Sequence, residues 1–326
     1  MAKSGIQTGA HSTLIFYWED NGFKQDPNDS EPKAFGKDAT LNTLQGSRNA
    51  VELFDPGSRE VAEYIEQQFS GTFSVEFVLS IGNPWWNEAI IDTPTTSGSD
   101  APYTHTWDGE DPSSMRIVTG NTRSGEEFYL AGAYVENASI NINVPGNITV
   151  SLDGAYSRLE QNTPTELEQQ VSDDAQAATF AHADIQLGGS GRRLVQSLGI
   201  TISNNTDPVL EIGSEEPVDF SPKQRTLTVD HTTTRDGSDD EDISRFLGGA
   251  GETDSGAADR NDIVVSAHNG ESGADREYLE YAFTDSMPND FSVSNTGDPD
   301  SDIENDVTDQ PTGVVAEAEN PTQTPL

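Results

Sequence analysis

Two separate stretches of the chain alternate between an inward and an outward type of residue, and this alternation most limits what the chain can fold into. It runs through residues 72–81, TFSVEFVLSI, and through residues 225–234, RTLTVDHTTT. A period of two predicts a strand with one buried and one exposed face. Residues 115–135 and 138–154 each hold two apolar runs around a turn marked by glycine, which predicts two hairpins. The chain is therefore expected to be mainly β.

Each alternating stretch follows a similar segment, SRNAVELFDPGSRE at 47–60 and SNNTDPVLEIGSEE at 203–216. One offset of 156 residues, from Ser47 to Ser203, superposes both segments and both strands. Phe73 then falls on Val229 with no change of parity, so the same faces would be buried in both copies. The sequence therefore predicts an internal duplication.

Each repeated strand is followed by a segment with helix-start residues, which predicts a short α-helix near 84–91 and another near 241–247. The expected fold is two tandem β-sandwich or half-barrel domains, each with one short α-helix. Extended terminal arms held by neighbouring subunits are expected beside them. The predicted boundaries are an N-terminal arm at 1–35, domain 1 at 36–160, a linker at 161–179, domain 2 at 180–310 and a C-terminal arm at 311–326.

The charge of the chain excludes several classes of partner. Among 326 residues, 57 are acidic and 17 basic, which gives a formal net charge of −40. A surface that grips nucleic acid or an anionic membrane needs Lys and Arg, so neither is expected. The acidity instead indicates an environment of high salt, where charge repulsion is screened. The N-terminus lacks the apolar core of a signal peptide, and no apolar run approaches the length of a membrane span. We expect a soluble protein made in the cytoplasm.

No catalytic, cofactor or metal site is predicted. The chain has no cysteine, which removes disulfides, thiol nucleophiles and zinc-thiolate sites. No two histidines stand at a metal-ligand spacing, and His231 falls on the predicted buried face of its strand, where an interior hydrogen-bonded role is expected. The histidines are His11, His105, His182, His231 and His268. Residues 188–193, GGSGRR, lack the lysine of a phosphate loop and are predicted to be a turn.

The acidic segment 295–313 is predicted to be disordered from its composition alone. Within it, Asp298, Asp300 and Asp302 alternate as in a calcium loop. Ile303 stands where that loop needs glycine, and Asp309 stands where it needs glutamate. Loose association with cations is therefore expected rather than a built site.

Residues 180–232 carry a resemblance to a known family. They run from FAHADIQLGG through LVQSLGITISNNTDPVLEIGSEEPVDF into the alternating strand. This pattern of a strand ending in Asn-Asn, a loop with glycine and a strand of alternating threonine resembles the phage tail tube protein family. The resemblance covers 180–290 well and 36–160 more weakly, and the insert at 93–114 departs from the family pattern.

The resemblance implies a structural protein of the virion tail, a major tube subunit whose rings stack into a conduit for viral DNA. With two units in each chain, it implies that three chains complete a pseudo-sixfold ring. The expected partners are further copies of the chain, other tail proteins, and viral DNA that passes without specific binding. No cofactor and no membrane binding are implied. The acidity indicates a virus of a salt-loving, haloarchaeal-type host.

Two alternatives remain open from the sequence. The chain could be a tail-terminator or a distal-tail ring component with the same fold. It could instead be an acidic carbohydrate-binding β-module, in which Trp85-Trp86 and the segment 105–107 would stack on sugar rings.

Residues 51–69 and 207–225 are predicted to be long loops that project from the sheets. Each is longer than a hairpin needs, and long loops in compact domains are usually functional. They also hold apolar residues that would be costly to expose to water. We expect these loops to contact the next ring through Val61, Tyr64, Ile65, Glu211, Gly213, Val218 and Phe220.

Overall fold

The computed structural model describes most of the chain. The described residues are 12–25, 31–56, 59–121, 126–162, 171, 173–191, 194–235, 241–248, 258–294 and 302–322. Gly57, Ser58, Arg192, Asp298 and Asp300 lie outside them, as do residues 163–170 of the expected linker. We call residues 12–162 the first half and residues 183–320 the second half.

Strands dominate both halves, as the alternation predicts. The first half contains β1 (Ser12–Trp18), β2 (Lys37–Phe54), β3 (Val61–Val78), β4 (Thr95–Ser97), β5 (Tyr103–Trp107), β6 (Met115–Asn121), β7 (Glu126–Asn143) and β8 (Thr149–Asn162). The second half contains β9 (Ala183–Leu187), β10 (Ser190–Gly191), β11 (Val195–Ser203), β12 (Asp207–Val209), β13 (Asp219–Ser221), β14 (Thr226–Thr234), α1 (Glu241–Leu247), β15 (Asn261–His268), β16 (Tyr278–Ser294), β17 (Glu304–Gln310) and β18 (Gly313–Asn320). The mainly β fold is confirmed, and so are the two predicted hairpins, β6–β7 and β7–β8.

The two halves have the same strand order. In the first half it is β1-β6-β7-β8-β3-β2. In the second half it is β9-β15-β16-β17-β14-β11, and β18 continues β17 along the same side of β16. The register also agrees, because Leu44 pairs with Phe73 while Ile200 pairs with Val229, each 156 residues further on.

The halves are joined edge to edge. The C-terminal part of β7 pairs with β11, from Asn143 opposite Ser197 to Asn137 opposite Ser203. Eight strands thereby form a continuous sheet in the order β16-β17-β14-β11-β7-β8-β3-β2. One face of this sheet is buried, with Phe73, Ile140 and Ile200 all at most 2 % exposed. The core therefore runs through both halves.

One predicted helix is an α-helix and the other is not. Residues 241–247 form α1, as predicted, but the segment near 84–91 forms only a 3₁₀ helix, Trp85–Ala89. The backbone N–H of Asn87 donates to the carbonyl oxygen of Pro84, three residues back. A five-residue segment is too short to offset the cost of nucleating an α-helix. Burial of Trp85 and Trp86 stabilises the tighter 3₁₀ turn instead.

The prediction that residues 51–69 form a loop is wrong. Strands β2 and β3 stay paired as far as Phe54 opposite Val61, so this segment is the outer end of a long two-stranded ribbon. Its counterpart in the second half is the short hairpin β12–β13, which pairs Asp207 with Ser221. Cross-strand pairing satisfies the backbone groups that a loop of that length would leave to water.

The described parts of the expected arms are strands of the chain's own sheets. Strand β1 pairs with β6, and β18 lies between β16 and β5. The predicted disorder of 295–313 is likewise wrong for Glu304–Gln310, which is the central strand β17. Glu304 and Asp306 alternate with Asn305 and Val307, which are buried, so the pattern of burial decides where composition misleads.

Gly154 marks the closest backbone approach in the buried sheet. A Cβ atom there would lie 2.0 Å from the carbonyl oxygen of Tyr134 and 2.8 Å from the ring of Phe73. We expect Gly154→Ala to lower the free energy of unfolding by about 1–3 kcal/mol, because the sheet must shift to admit the methyl group. The control is Gly199→Ala, where the nearest atom would be 3.7 Å away. Denaturant unfolding measures both, and equal stabilities would contradict this packing.

Candidate functional site

The eight-stranded sheet has one polar, solvent-facing side, which we call the polar face. It consists of the residues that alternate with the buried ones, and none of them is buried. They are Thr43, Gln45, Ser47, Thr72, Ser74, Glu76, Asn137, Ser139, Asn141, Asn143, Thr149, Ser151, Asp153, Ala155, Ser197, Gly199, Thr201, Ser203, Thr226, Thr228, Asp230, Thr232, Thr234, Asp290, Ser292, Ser294, Glu304, Asp306, Thr308 and Gln310.

The polar face carries six carboxylates and no lysine or arginine. Hydroxyl groups on neighbouring strands hold two of these carboxylates in place. Thr232 Oγ1 donates to Asp306 Oδ1 at 2.8 Å, and Thr308 Oγ1 donates to Asp230 Oδ1 at 2.5 Å. A depression of about 320 Å³ lies between these strands. The face thus offers fixed negative charge and hydrogen-bonding groups, and no cation that could hold a phosphate.

Two strand edges of this sheet have no partner within the described residues. One is the outer edge of β2, and the other is the edge of β16 along Met287–Ser294. The equivalent edge of β7 in the first half is the one that pairs with β11. Unpaired edges are templates for strand addition. The free edge of β2 corresponds to the edge of β11, and the free edge of β16 corresponds to the edge of β7. These are the two kinds of edge that pair inside the chain.

The ribbon and the short hairpin expose large apolar side chains. Tyr64 is 62 % exposed and Ile65 45 %, on opposite faces of the ribbon, while Val61 is half-buried. At the tip of the β12–β13 hairpin, Leu210 is 58 % exposed and Ile212 fully exposed. A two-stranded ribbon with apolar groups on both faces is marginal in water and needs cover.

The predicted contact residues of the second hairpin divide into two groups. Glu211 and Gly213 lie at the exposed tip, and Val218 is half-buried. Phe220 is buried within its own chain, with its ring 5.8 Å from Phe23 and 6.0 Å from Tyr134. The expectation that Phe220 is exposed is therefore wrong, because the hairpin folds down onto the first half.

Four contacts fix the hairpin on the first half. The backbone N–H of Phe69 donates to the carbonyl oxygen of Glu215 at 2.7 Å, and Arg48 Nη1 lies 3.3 Å from the carboxylate of Glu215. Ser157 Oγ donates to the carbonyl oxygen of Pro217 at 2.6 Å, and Arg158 Nε donates to Glu216 at 2.9 Å. Sequence reasoning missed this contact, since the residues are far apart in the chain and share no motif.

The described residues hold no group of three or more His, Asp or Glu arranged to bind a metal. His231 is interior, as predicted, with its ring nitrogens 3.7 Å from Asp242 and from Asp309. Arg245 Nη2 donates to Asp309 at 2.8 Å, so this charged cluster fastens α1 to the sheet. No helix of the described residues is long and apolar enough to cross a membrane.

The tryptophans proposed for sugar stacking are buried. Trp85, Trp86 and Trp107 are at most 3 % exposed, and His105 is buried beside them with its Nε2 3.1 Å from Asn320. Their role is to pack the 3₁₀ helix and β5 against the core. The alternative of a carbohydrate-binding platform at these residues is therefore contradicted.

The polar face should show like-charge repulsion between Asp230 and Asp306, which lie diagonally on neighbouring strands. We expect the double variant Asp230→Asn, Asp306→Asn to be more stable by about 0.5 kcal/mol in 0.1 M NaCl, with the gain vanishing near 1 M as the Debye length falls to about 3 Å. Thr201→Asn is the control, since it lies on the same face between Ser139 and Thr228 and removes no charge. Thermal unfolding measures each variant, and a gain that is independent of salt would contradict the assignment.

Burial raises the pKa of Glu88 to about 7, although Ser113 and Thr93 donate to its carboxylate. Between pH 4.5 and about 7, the folded chain keeps a proton that the unfolded chain has lost, so the free energy of unfolding falls as the pH rises through this range. Above about pH 7 both states are ionised and the loss stays constant. Glu88→Gln should be more stable than the parent by up to about 3 kcal/mol at pH 8, and by much less at pH 5. Urea unfolding at both pH values tests this, and an equal difference at both would contradict it.

Comparison with known proteins agrees with the expected family. A family model described as phage tail tube protein matches residues 9–305, which include strands of both halves. A search of curated proteins finds no match. Because the matched range covers most of the 326 residues, the chain belongs to the phage tail tube protein family.

Proposed function

We propose that three copies of this chain close into a ring, and that such rings stack into the tail tube through which viral DNA passes. The family makes the chain a structural, self-assembling component of the virion tail. The observation that carries the proposal is the repeated strand order, with the β7–β11 joint inside the chain and two open edges that match it. A duplicated unit accounts for the repeated strand order and for the matching edges.

The open edges support ring closure. Each half contributes four strands to the eight-stranded sheet, β7-β8-β3-β2 and β16-β17-β14-β11. Joining β2 of one chain to β16 of the next repeats the internal β7–β11 joint. Six related units then leave no free edge, which a barrel requires. The ring would contain eight strands from each of three chains, twenty-four in all.

The register of the proposed joint follows from the internal one. Ile140 is opposite Ile200 at the β7–β11 joint, and both side chains are buried. The counterpart of Ile200 is Leu44, by the offset of 156. Ile140 is opposite Val150, which is opposite Phe77. Val293 is opposite Asn305, which is opposite Thr233, 156 residues after Phe77. Val293 is therefore the counterpart of Ile140. Leu44 is 37 % exposed in the single chain and would be covered by Val293 of the next subunit.

The polar face would line the bore of such a ring. Carboxylates cannot displace the counterions of DNA phosphates as lysine and arginine do, so the wall would not hold DNA in transit. In molar salt the Debye length is about 3 Å, so repulsion would act only near contact. The excess of acidic residues supports a host that lives in high salt.

A tube is favoured over a terminator that forms a single ring. Leu210 and Ile212 at the tip of the second hairpin remain highly exposed, and Ile65 adds a third apolar group on the ribbon. Ring closure through β2 and β16 does not use these residues. A second ring stacked on the first would cover them.

Ring closure is tested by a pair of cysteines, because the chain has none of its own. The variant Leu44→Cys, Val293→Cys should oxidise to disulfide-linked species that end at three chains on a denaturing gel, since cross-strand partners lie about 4.5–5.5 Å apart. Each single variant is a control and should form no ladder. Electron microscopy of the purified protein should show threefold rings that stack.

Other results would overturn the ring. A ladder that continues beyond three chains would mean an open chain or a larger ring. Efficient oxidation confined to a dimer would mean a closed pair of chains. Single rings that never stack in high salt would instead favour the terminator.

A further inference from the structure

The hairpin β12–β13 docks on the first half of its own chain, and we call the residues that it contacts there the seat. The seat contacts residues 215–217 through Lys24, Arg48, Phe69, Ser157 and Arg158. Phe220 follows and is buried beside Tyr134. The hairpin thus leaves the second half at the end of β11 and lies across the neighbouring unit.

The second half contains the corresponding seat. The offset of 156 carries Arg48 and Phe69 to Asn204 and Arg225. The offset of 155 that the pairing register gives for β8 carries Ser157 and Arg158 to Thr312 and Gly313. All four line one cavity of about 610 Å³. Its other walls include Leu227 and Thr284.

The segment that matches the hairpin is on the ribbon of β2 and β3. The offset of 156 carries residues 215–220 to residues 59–64, so Tyr64 is the counterpart of Phe220. Phe220 is 6 % exposed, whereas Tyr64 is 62 % exposed. The ribbon lies at the opposite end of the eight-stranded sheet from β16, so the chain's own ribbon is not beside its own cavity.

We propose that Arg59–Tyr64 of one subunit docks into the cavity at Asn204, Arg225 and Gly313 of the next subunit in the same ring. This rests on the proposed ring, in which β2 lies beside β16 of that neighbour. The occupant is a second copy of this chain. The contact repeats between subunits what the β12–β13 hairpin does within one.

The charges of the two seats agree with their different occupants. In the first half, Arg48 faces the acidic Glu215 of the hairpin. The counterpart of Glu215 is the basic Arg59, and the cavity of the second half carries Asp108 and Glu110. The occupant changes sign from Glu215 to Arg59, whereas Arg48 is replaced by the neutral Asn204. The cavity also carries Lys223 and Arg225, so Asp108 and Glu110 are the groups that Arg59 would face.

The proposal divides the ribbon between two neighbours. Tyr64 is opposite Glu52 and Ile65 is opposite Val51, so the two side chains point to opposite faces. Tyr64 would contact the next subunit within the ring. Ile65 and Val51 would remain available for the ring above.

Cysteine pairs in the full chain test the seat. Thr312 lines the cavity and is exposed, so Tyr64→Cys, Thr312→Cys should oxidise to species that end at three chains. The matched control is Ile65→Cys, Thr312→Cys, which should link poorly because residue 65 points away. Species of more than three chains would mean that the ribbon reaches another ring, and would overturn the same-ring assignment.

The Leu44→Cys, Val293→Cys pair separates failure of the seat from failure of the ring. If that pair links and the Tyr64→Cys, Thr312→Cys pair does not, the seat is wrong and the ring stands. If neither pair links, both proposals fail.

A charge reversal gives a second readout without cysteine. Arg59→Glu should weaken ring assembly about two- to fivefold for each joint, and Asp108→Arg in the same chain should restore it. Sedimentation in 0.2 M salt measures the ring fraction against monomer. Equal assembly by Arg59→Glu and the parent, or no rescue by the second change, would count against the pairing of these charges.

Discussion

The fold depends on the ladder between β7 and β11. It runs from Asn143 opposite Ser197 to Asn137 opposite Ser203, and single backbone hydrogen bonds extend it at each end, from Val144 to Gln196 and from Asn204 to Glu136. The ladder satisfies two strand edges at once and lets the buried face pass from one half to the other. The eight-stranded sheet is consequently continuous across both halves.

The two halves reach the same strand order with different chemistry. In the first half Val75, Trp86 and Gly154 occupy the space between helix and sheet, and burial of apolar surface holds them. Their counterparts in the second half are His231, Asp242 and Asp309, which join Arg245 in a buried charged cluster. A buried ion cluster is costly to desolvate but fixes one geometry when every charge is paired. The backbone pattern is therefore shared while the means of fastening the helix is not.

An acidic chain can build this fold because its carboxylates are sorted by strand alternation. In β17, Glu304 and Asp306 face solvent while Asn305 and Val307 are buried, and the inward carboxylate of Asp309 is paired with Arg245. Repulsion is thus directed into water, where salt screens it, and the core stays largely apolar. The same sorting produces a face without lysine or arginine, as the proposed bore requires.

The sequence by itself determined the strand faces and the two hairpins, because these are local or periodic signals, and it predicted a repeat with an offset of 156. It also indicated α1 and the interior place of His231. Only the tertiary structure decided that Trp85–Ala89 is a 3₁₀ helix, that residues 304–310 are a central strand, and that Phe220 is buried. Each of these outcomes depends on contacts with residues far away in the chain. A short window of sequence does not contain those residues, so it cannot predict the contacts.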